Sequence, residues 1–304
     1  MTHARFCVLG NISIDDLVFE DGSTMWRVPG GNSIYAALGA ALWRERPVVL
    51  APVGPEYPFE AIGERIDLSH CRRLDRTLRD WGLYEEDGNR LFIFRTKTKN
   101  WLEFSPTLLD LDNFSCDFAH LAPLRWELQI ELLERLRRDG ARIVSVDPDD
   151  RYLAELDRAT LLRLLTAIDM FLPSRQDIEA LMPGKTPLEA LRALREVAPD
   201  LPVIALKRGE HGVLMHSAGA TDYLEVPTTA DVVIDATGAG DAFCGGALVG
   251  YARTRSPTEA VLWGSVSASF AVAAMGPAGL VAADFDEARS RVERLRARVR
   301  THSL

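Results

Sequence analysis

The stretch "VVIDATGAGDAFCGGALVGY", Val232 to Tyr251, decides how the chain is read. Val232, Val233 and Ile234 are β-branched and predict the end of a buried strand. Thr237, Gly238, Ala239 and Gly240 carry little bulk, so the backbone there can turn sharply and approach another molecule closely. Phe243, Ala247, Leu248 and Tyr251 then recur at helical spacing, with Asp241 at the mouth of the helix. A helix N-terminus presents unpaired N–H groups and partial positive charge, which favours anions and phosphate above all. An acid placed there can simply complement the helix dipole, a contribution of about 0.5 kcal/mol. That explains Asp241 but not the glycines around Ala239.

Around this stretch lie 304 residues, enough for one large α/β domain or two ordinary ones. With 47% hydrophobic and 26% charged residues, the composition is that of a soluble globular protein. The formal net charge of −9 disfavours a nucleic-acid partner, whose binding surfaces are usually basic. Arg294, Arg296, Arg298 and Arg300 cluster, but Asp284, Asp286 and Glu287 precede them, as in a solvated helix matched to its dipole. Cys7, Cys71, Cys116 and Cys244 form no CxxC pair, which predicts no structural zinc and fits a reducing, cytoplasmic compartment. The opening "ARFCVLGNISIDD" contains no long apolar segment, so neither a signal peptide nor a membrane span is expected.

Strand-like runs recur at 6–10, 47–54, 142–148, 168–174 and 202–209, each ending in turn residues. Amphipathic helical patterns lie between many of them, at 124–140 with Leu128, Leu132 and Leu136 on one stripe, and at 186–200. This alternation predicts an α/β fold with a mostly parallel sheet and helices on both faces. Ligands on such sheets sit beyond the carboxyl ends of the strands. Residues 77–104 break the alternation with two strand-like runs around Asp87-Gly88, a hairpin signal. Together with strands expected at 12–28, they predict a small inserted β layer, a candidate lid on one domain spanning 1–304.

Several motifs are ruled out by spacing. "GAGDAF" lacks the third glycine of a dinucleotide fingerprint, and "MPGKTP" (182–187) has Glu179 where a P-loop needs its first glycine. The six histidines show no metal-ligand spacing, and His211 and His216 read as loop or surface groups. "RVPGGNSIYAALGAAL" (27–42) places Gly30-Gly31 before an Ala-rich helix, with Asn32 available for hydrogen bonds.

Gly30-Gly31 before that helix and the late "DATGAGDAF" (235–243) resemble the two signatures of the PfkB/ribokinase family of carbohydrate kinases. "VLGNISIDD", "VSVDP" and "LKRGEHG" extend the resemblance over nearly the whole chain, with 77–104 as the lid. It implies a ribokinase-like fold and an ATP- and Mg²⁺-dependent phosphotransferase acting on a hydroxymethyl group of a sugar or sugar-like polyol. The small-residue loop, Gly238, Ala239 and Gly240, would form an anion hole, and Asp241 would take the proton of the acceptor hydroxyl. Lys207, Gly209, Gly212 and Thr237 match nucleotide-side positions. Asp15, Gly31, Asn32, Tyr35 and Arg95 fall on the substrate side, where Trp101 is a further candidate. Asp177 would act through Mg²⁺ by way of its waters. Asp235 and the Thr237 carbonyl match a K⁺ or other monovalent-cation site of some members.

The chain departs from the family pattern at several points. Tyr35 stands where Asn is usual, and Ser174-Arg175-Gln176-Asp177 replaces Asn-x-x-Glu. Asp147-Pro148-Asp149 replaces Asp-Pro-Asn, and "PVGPEYPFE" lacks the usual aspartate. Tyr35 opens a second reading, a nucleoside kinase with the ring stacked on the base. A ligand-binding regulator that kept the fold and lost turnover is the rival outside the enzymes. In the family such β layers often pair between subunits, and "RLFIF" (90–94) is apolar on both faces, which predicts a homodimer through the lid.

Overall fold

Short apolar runs that end in Gly, Pro or Asp make buried strands, and the helices between them carry them back in parallel. The computed structural model, which describes residues 2–85, 90–98 and 100–303, shows this arrangement. In chain order its strands are β1 (Thr2–Leu9), β2 (Ser13–Val18), β3 (Thr24–Gly30), β4 (Val48–Leu50), β5 (Pro52–Val53), β6 (Arg72–Arg73), β7 (Leu78–Tyr84), β8 (Arg90–Phe94), β9 (Phe114–Leu121), β10 (Ile143–Val146), β11 (Met170–Phe171), β12 (Val203–Lys207), β13 (Val213–Ser217), β14 (Asp222–Val226) and β15 (Arg300–Ser303). The helices are α1 (Asn32–Ala41), α2 (Trp126–Arg138), α3 (Asp150–Leu153), α4 (Arg158–Ala167), α5 (Arg175–Leu181), α6 (Pro187–Val197), α7 (Ala239–Thr254), α8 (Pro257–Ala271), α9 (Ala278–Ala282) and α10 (Phe285–Arg296).

Among the described residues the main sheet runs β15-β14-β13-β12-β11-β10-β9-β1-β4. From β4 to β12 every pairing is parallel, and β13, β14 and β15 close the far edge antiparallel. One face packs Phe6, Val8, Ile143 and Val203 under α1, α7, α8 and α10. The other packs Cys7, Leu9, Val144 and Ile204 under α2, α4 and α6. All four cysteines are buried and free. No helix among the described residues is long and apolar enough to cross a membrane.

The inserted layer is a separate sheet of order β3-β2-β7-β8, in which β2 and β7 run parallel. Both halves of the expected lid therefore contribute. The Asp87-Gly88 hairpin lies outside the described residues.

Two expectations are corrected, and one strand was not expected. Val232–Ile234 forms no strand: the three side chains are 54–62% exposed. The main sheet already ends at β15, and Ile234 N–H donates instead to the Val272 carbonyl at 2.8 Å. His216 is buried in β13, where its Nδ1 accepts from Arg195 Nε at 2.9 Å. Finally, "FSCDFAHL" is a central strand, β9, although its polar residues hide the apolar run. His120 within it is fully buried against Ser145, and burial pushes its pKa down to about 3, so it stays neutral.

The contact between α1 and α7 positions the site. A Cβ on Gly245 would overlap the Ala36 carbonyl oxygen, and one on Gly39 would overlap that of Ala242. The two backbones therefore touch where side chains normally intervene. Gly245→Val should cost about 2–3 kcal/mol, the scale of overpacking against a rigid neighbour, and thermal unfolding should show a clear fall in Tm. An unchanged Tm would show that the helices can separate without penalty.

Candidate active site

Three adjacent parallel strands end in polar groups at one point. Asp147 follows β10, Ser174 follows β11, and Lys207 ends β12. The Lys207 ammonium pairs with the Asp147 carboxylate, which also accepts from the Cys244 thiol at 3.4 Å. Gln129 holds this strand end in place by donating to the carbonyls of Asp147 at 2.7 Å and Ala122 at 2.8 Å. Burial opposes the charge on Lys207, but the carboxylates of Asp147 and Asp177 outweigh it and keep the lysine protonated. Asp147 is pushed upward by burial, with Lys207 pulling it back.

Above this pair lies the N-terminus of α7. Gly238 caps the helix with φ 71° and ψ 3°, a left-handed conformation costly for any side chain. A Cβ there would also strike the ring of Tyr35. The Ala239 N–H makes only a long 3.4 Å bond to Ala236 O. Gly240 leaves room for Lys207 Nζ, 3.4 Å from where a Cβ would stand. Asp241 occupies the first turn, and among the described residues no side chain hydrogen-bonds to it. Burial, and then the Asp147 charge, push its pKa up to about 8 against the pull of Lys207. The opening stretch is thus an acid held at a positive helix end and over a buried cation.

Asp177 joins the same group from α5. Its carboxylate accepts from Ser174 N–H at 2.6 Å, while Ser174 Oγ caps Asp177 N–H, so the Ser/Asp replacement makes a reciprocal helix cap. Burial and the Asp147 charge push Asp177 up to about 7. Glu179 faces elsewhere and binds Gly184 N–H at 3.2 Å. Gly209 and Gly212 form a tight turn beyond β12, at φ 61° and 71°.

Asp235 ties the loop to its surroundings. Its carboxylate accepts from Thr237 N–H at 2.8 Å, Tyr84 O–H at 2.9 Å and Gly276 N–H at 3.1 Å. Tyr84 belongs to β7, so the lid is bonded directly to the α7 loop, with Thr237 Oγ1 3.2 Å from the same hydroxyl.

The residues expected on the substrate side divide. Asp15 is buried in β2, accepts from Ser13 Oγ at 2.8 Å, and is pushed up to about 7 mainly by burial. Gly31 caps α1 at φ 104°. Asn32 uses its amide on the scaffold, accepting from Asn11 N–H at 2.7 Å and donating to Pro123 O at 2.8 Å. Tyr35 is 2% exposed and lies beneath Gly238, leaving that ring face covered rather than open to a base. Burial, and then the charges of Asp15 and Asp235, push its hydroxyl well above the ordinary tyrosine range. Arg95 turns away, pairing with Asp16 and lying 4.2 Å over the Trp81 ring. Trp101 packs on Phe94 at 4.4 Å.

Asp147, noted in the sequence only within the Asp-Pro-Asp departure, lies in the same cluster as Asp177. Tyr84 and Asp80 carried no signal, since polar residues on a small inserted sheet ordinarily face water.

The donor set fits a magnesium ion. Mg²⁺ takes hard oxygen ligands and is usually held by one or two carboxylates together with phosphates. Asp147 and Asp177 are two such carboxylates, both raised in pKa and sharing one lysine. Asp147 and Asp177 would hold such an ion together with phosphate oxygens and water. At Asp235 the protein's own donors already engage both oxygens.

Such a cluster, on a sheet with these connections and with a glycine-capped helix above it, belongs to a kinase fold. The chain is a member of the pfkB family carbohydrate kinases, whose pattern matches residues 4–282. It is 30% identical over 266 residues to the cytidine kinase of Thermococcus kodakarensis, covering 84% of this chain and 92% of that one. Two solved structures share the ribokinase-like fold. A candidate ribokinase II from E. coli in complex with ATP and Mg²⁺ matches with TM-score 0.75 at 19% identity, over 96% of this chain and 99% of that one. The Burkholderia thailandensis nucleoside kinase in complex with inosine matches with TM-score 0.75 at 19% identity, over 95% and 97%.

Proposed function

We propose that this kinase transfers the γ-phosphoryl group of ATP to the hydroxymethyl group of a sugar, either free or as the ribose of a nucleoside. The observation that carries the reading is Asp241, a carboxyl without a side-chain partner held in the first turn of α7 beside Lys207. In this reading Asp241 accepts the proton of the acceptor hydroxyl as its oxygen bonds to the γ-phosphorus. The bond from that phosphorus to the bridging oxygen breaks, and ADP leaves. Asp241 acts as base by position, holding the hydroxyl in line with the γ-phosphorus. The backbone N–H groups at Gly238, Ala239 and Gly240 face the charge that develops on the phosphoryl oxygens.

Asp147 and Asp177 would hold Mg²⁺ with the phosphates, and the ion would neutralise phosphate charge there. Lys207 supplies a fixed positive charge beneath Gly240. Gly209, Gly212 and Thr237 border the donor, and exposed Val232, Val233 and Ile234 offer an apolar flank for its base. A K⁺ ion at Asp235 and the Thr237 carbonyl is the finest part of this reading. Asp15 and Gly31 hold the sugar. The nucleoside version is favoured by the likeness to a cytidine kinase over most of both chains. A turnover-deficient binding protein is disfavoured by the intact Gly238–Asp241 helix end.

A coupled ADP-release assay across sugars, polyols and nucleosides, with and without Mg²⁺, should show Mg²⁺-dependent turnover with at least one acceptor carrying a hydroxymethyl group. Binding of such compounds without ADP release would instead favour the regulator.

The lid edge carries the second part of the proposal, a homodimer. Leu91, Phe92, Ile93 and Phe94 are 38–55% exposed on β8, an edge strand of its sheet. An exposed apolar edge invites pairing with another strand, and a second copy offers the same strand. Light scattering should give twice the chain mass of 33.7 kDa, and Ile93→Asp should return the protein to one chain. A wild-type mass of 33.7 kDa would contradict the dimer.

A further inference from the structure

The parallel pairing of β2 with β7 sets Asp15 directly beside Asp80. Side chains at paired positions of neighbouring parallel strands leave the same face, about 4.8 Å apart. That face looks toward the phosphoryl-transfer loop, because Tyr84, two pleats along β7 from Asp80, reaches Asp235 and Thr237 from it. The opposite face carries Asp16, whose carboxylate is satisfied by Arg79 and Arg95. The two aspartates that are adjacent in sequence thus have opposite roles, one structural and one turned to the cleft.

Asp80 has no comparable partner. It is 8% exposed, and its Oδ1 is buried without a hydrogen bond. The cation that acts on it, Arg151, is bound to Asp149 at 2.6 and 2.9 Å. Burial and then the Asp15 charge push Asp80 up to about 7. On the same side the Tyr57 hydroxyl is also buried without a partner, and Asp15 acts on it as well. Leaving such acceptors unsatisfied is costly unless a ligand supplies the missing donors.

We propose that Asp80 is a specificity-determining residue, accepting a hydrogen bond from one of two neighbouring hydroxyls of the acceptor sugar while Asp15 accepts from the other. This rests on the kinase reading above and extends it to a substrate class: sugars with a vicinal diol are selected over their deoxy analogues. Two side-by-side carboxyls present acceptors to two O–H groups at once. A neutral diol satisfies them without a counter-ion, which suits a site whose nearby arginine is already engaged. A deoxy sugar leaves Asp80 buried and unpaired, and sites built around a hydroxyl reject analogues lacking it.

The test compares kcat/KM for cytidine, 2′-deoxycytidine and 3′-deoxycytidine, and for ribose and 2-deoxyribose, in wild type, Asp80→Ala and Asp80→Asn. Wild type should prefer a diol-bearing acceptor over at least one deoxy analogue by about tenfold or more. Asp80→Ala should bring that ratio close to one, through a loss confined to the diol substrate. Asp80→Asn, which keeps the shape and one acceptor oxygen, should lower the ratio less and gives the reading if the alanine variant fails to fold. Turnover with a ratio unchanged by both variants, or an equal loss on both substrates, overturns the inference and leaves the kinase reading intact. Absence of turnover with all five compounds, where another hydroxymethyl acceptor is turned over, overturns the inference alone; absence of turnover with every acceptor counts against both.

Discussion

The site exists because α1 and α7 touch backbone to backbone. Gly39 lies against Ala242 and Gly245 against Ala36, and Tyr35 fills the space under Gly238. This contact brings the glycine pair at 30–31 and the loop at 238–241, about two hundred residues apart in sequence, to one side of the sheet. Any side chain at the contact would push the two apart. Asp241 would then move relative to Asp15, and phosphoryl transfer depends strongly on such placement.

Charge gives the assembled site its chemistry. Asp147, Asp177 and Asp241 converge at the ends of β10 and β11 and the start of α7, with Lys207 among them. All three carboxyls are pushed above their ordinary values, so the group as it stands is under-neutralised. A divalent cation would relieve the acids, and the phosphates of the donor would meet Lys207 and the helix end. From the lid, Tyr84 reaches Asp235 at the loop that leads into α7.

How much of this was readable follows from what each residue's signal depends on. Gly238 and Asp241 announced themselves because a left-handed turn and a helix end each demand particular residues in order. Lys207 stood at a strand end, where an α/β sheet binds ligands, and Asp177 was reached through the family resemblance. Asn32 and Tyr35 were expected at the substrate, but the Asn32 amide is taken up by Asn11 and Pro123 and the Tyr35 ring packs under Gly238. Val232–Ile234 has a strand's composition, but nothing there is left to pair with. β9 was hidden by Ser115, Asp117 and His120, whose partners come from β1 and β10. Asp80 became meaningful only when the parallel register of β2 and β7 placed it beside Asp15.

The role of Asp241 bears the most weight. In a single-turnover experiment with saturating ATP and the acceptor that releases ADP fastest, wild type and Asp241→Asn can be compared on the transfer step alone. The variant should unfold at an unchanged temperature and still bind ATP, yet transfer the phosphoryl group about 100-fold more slowly or worse, the scale of a lost general base. A well-folded Asp241→Asn protein that transfers at close to the wild-type rate would contradict the mechanism.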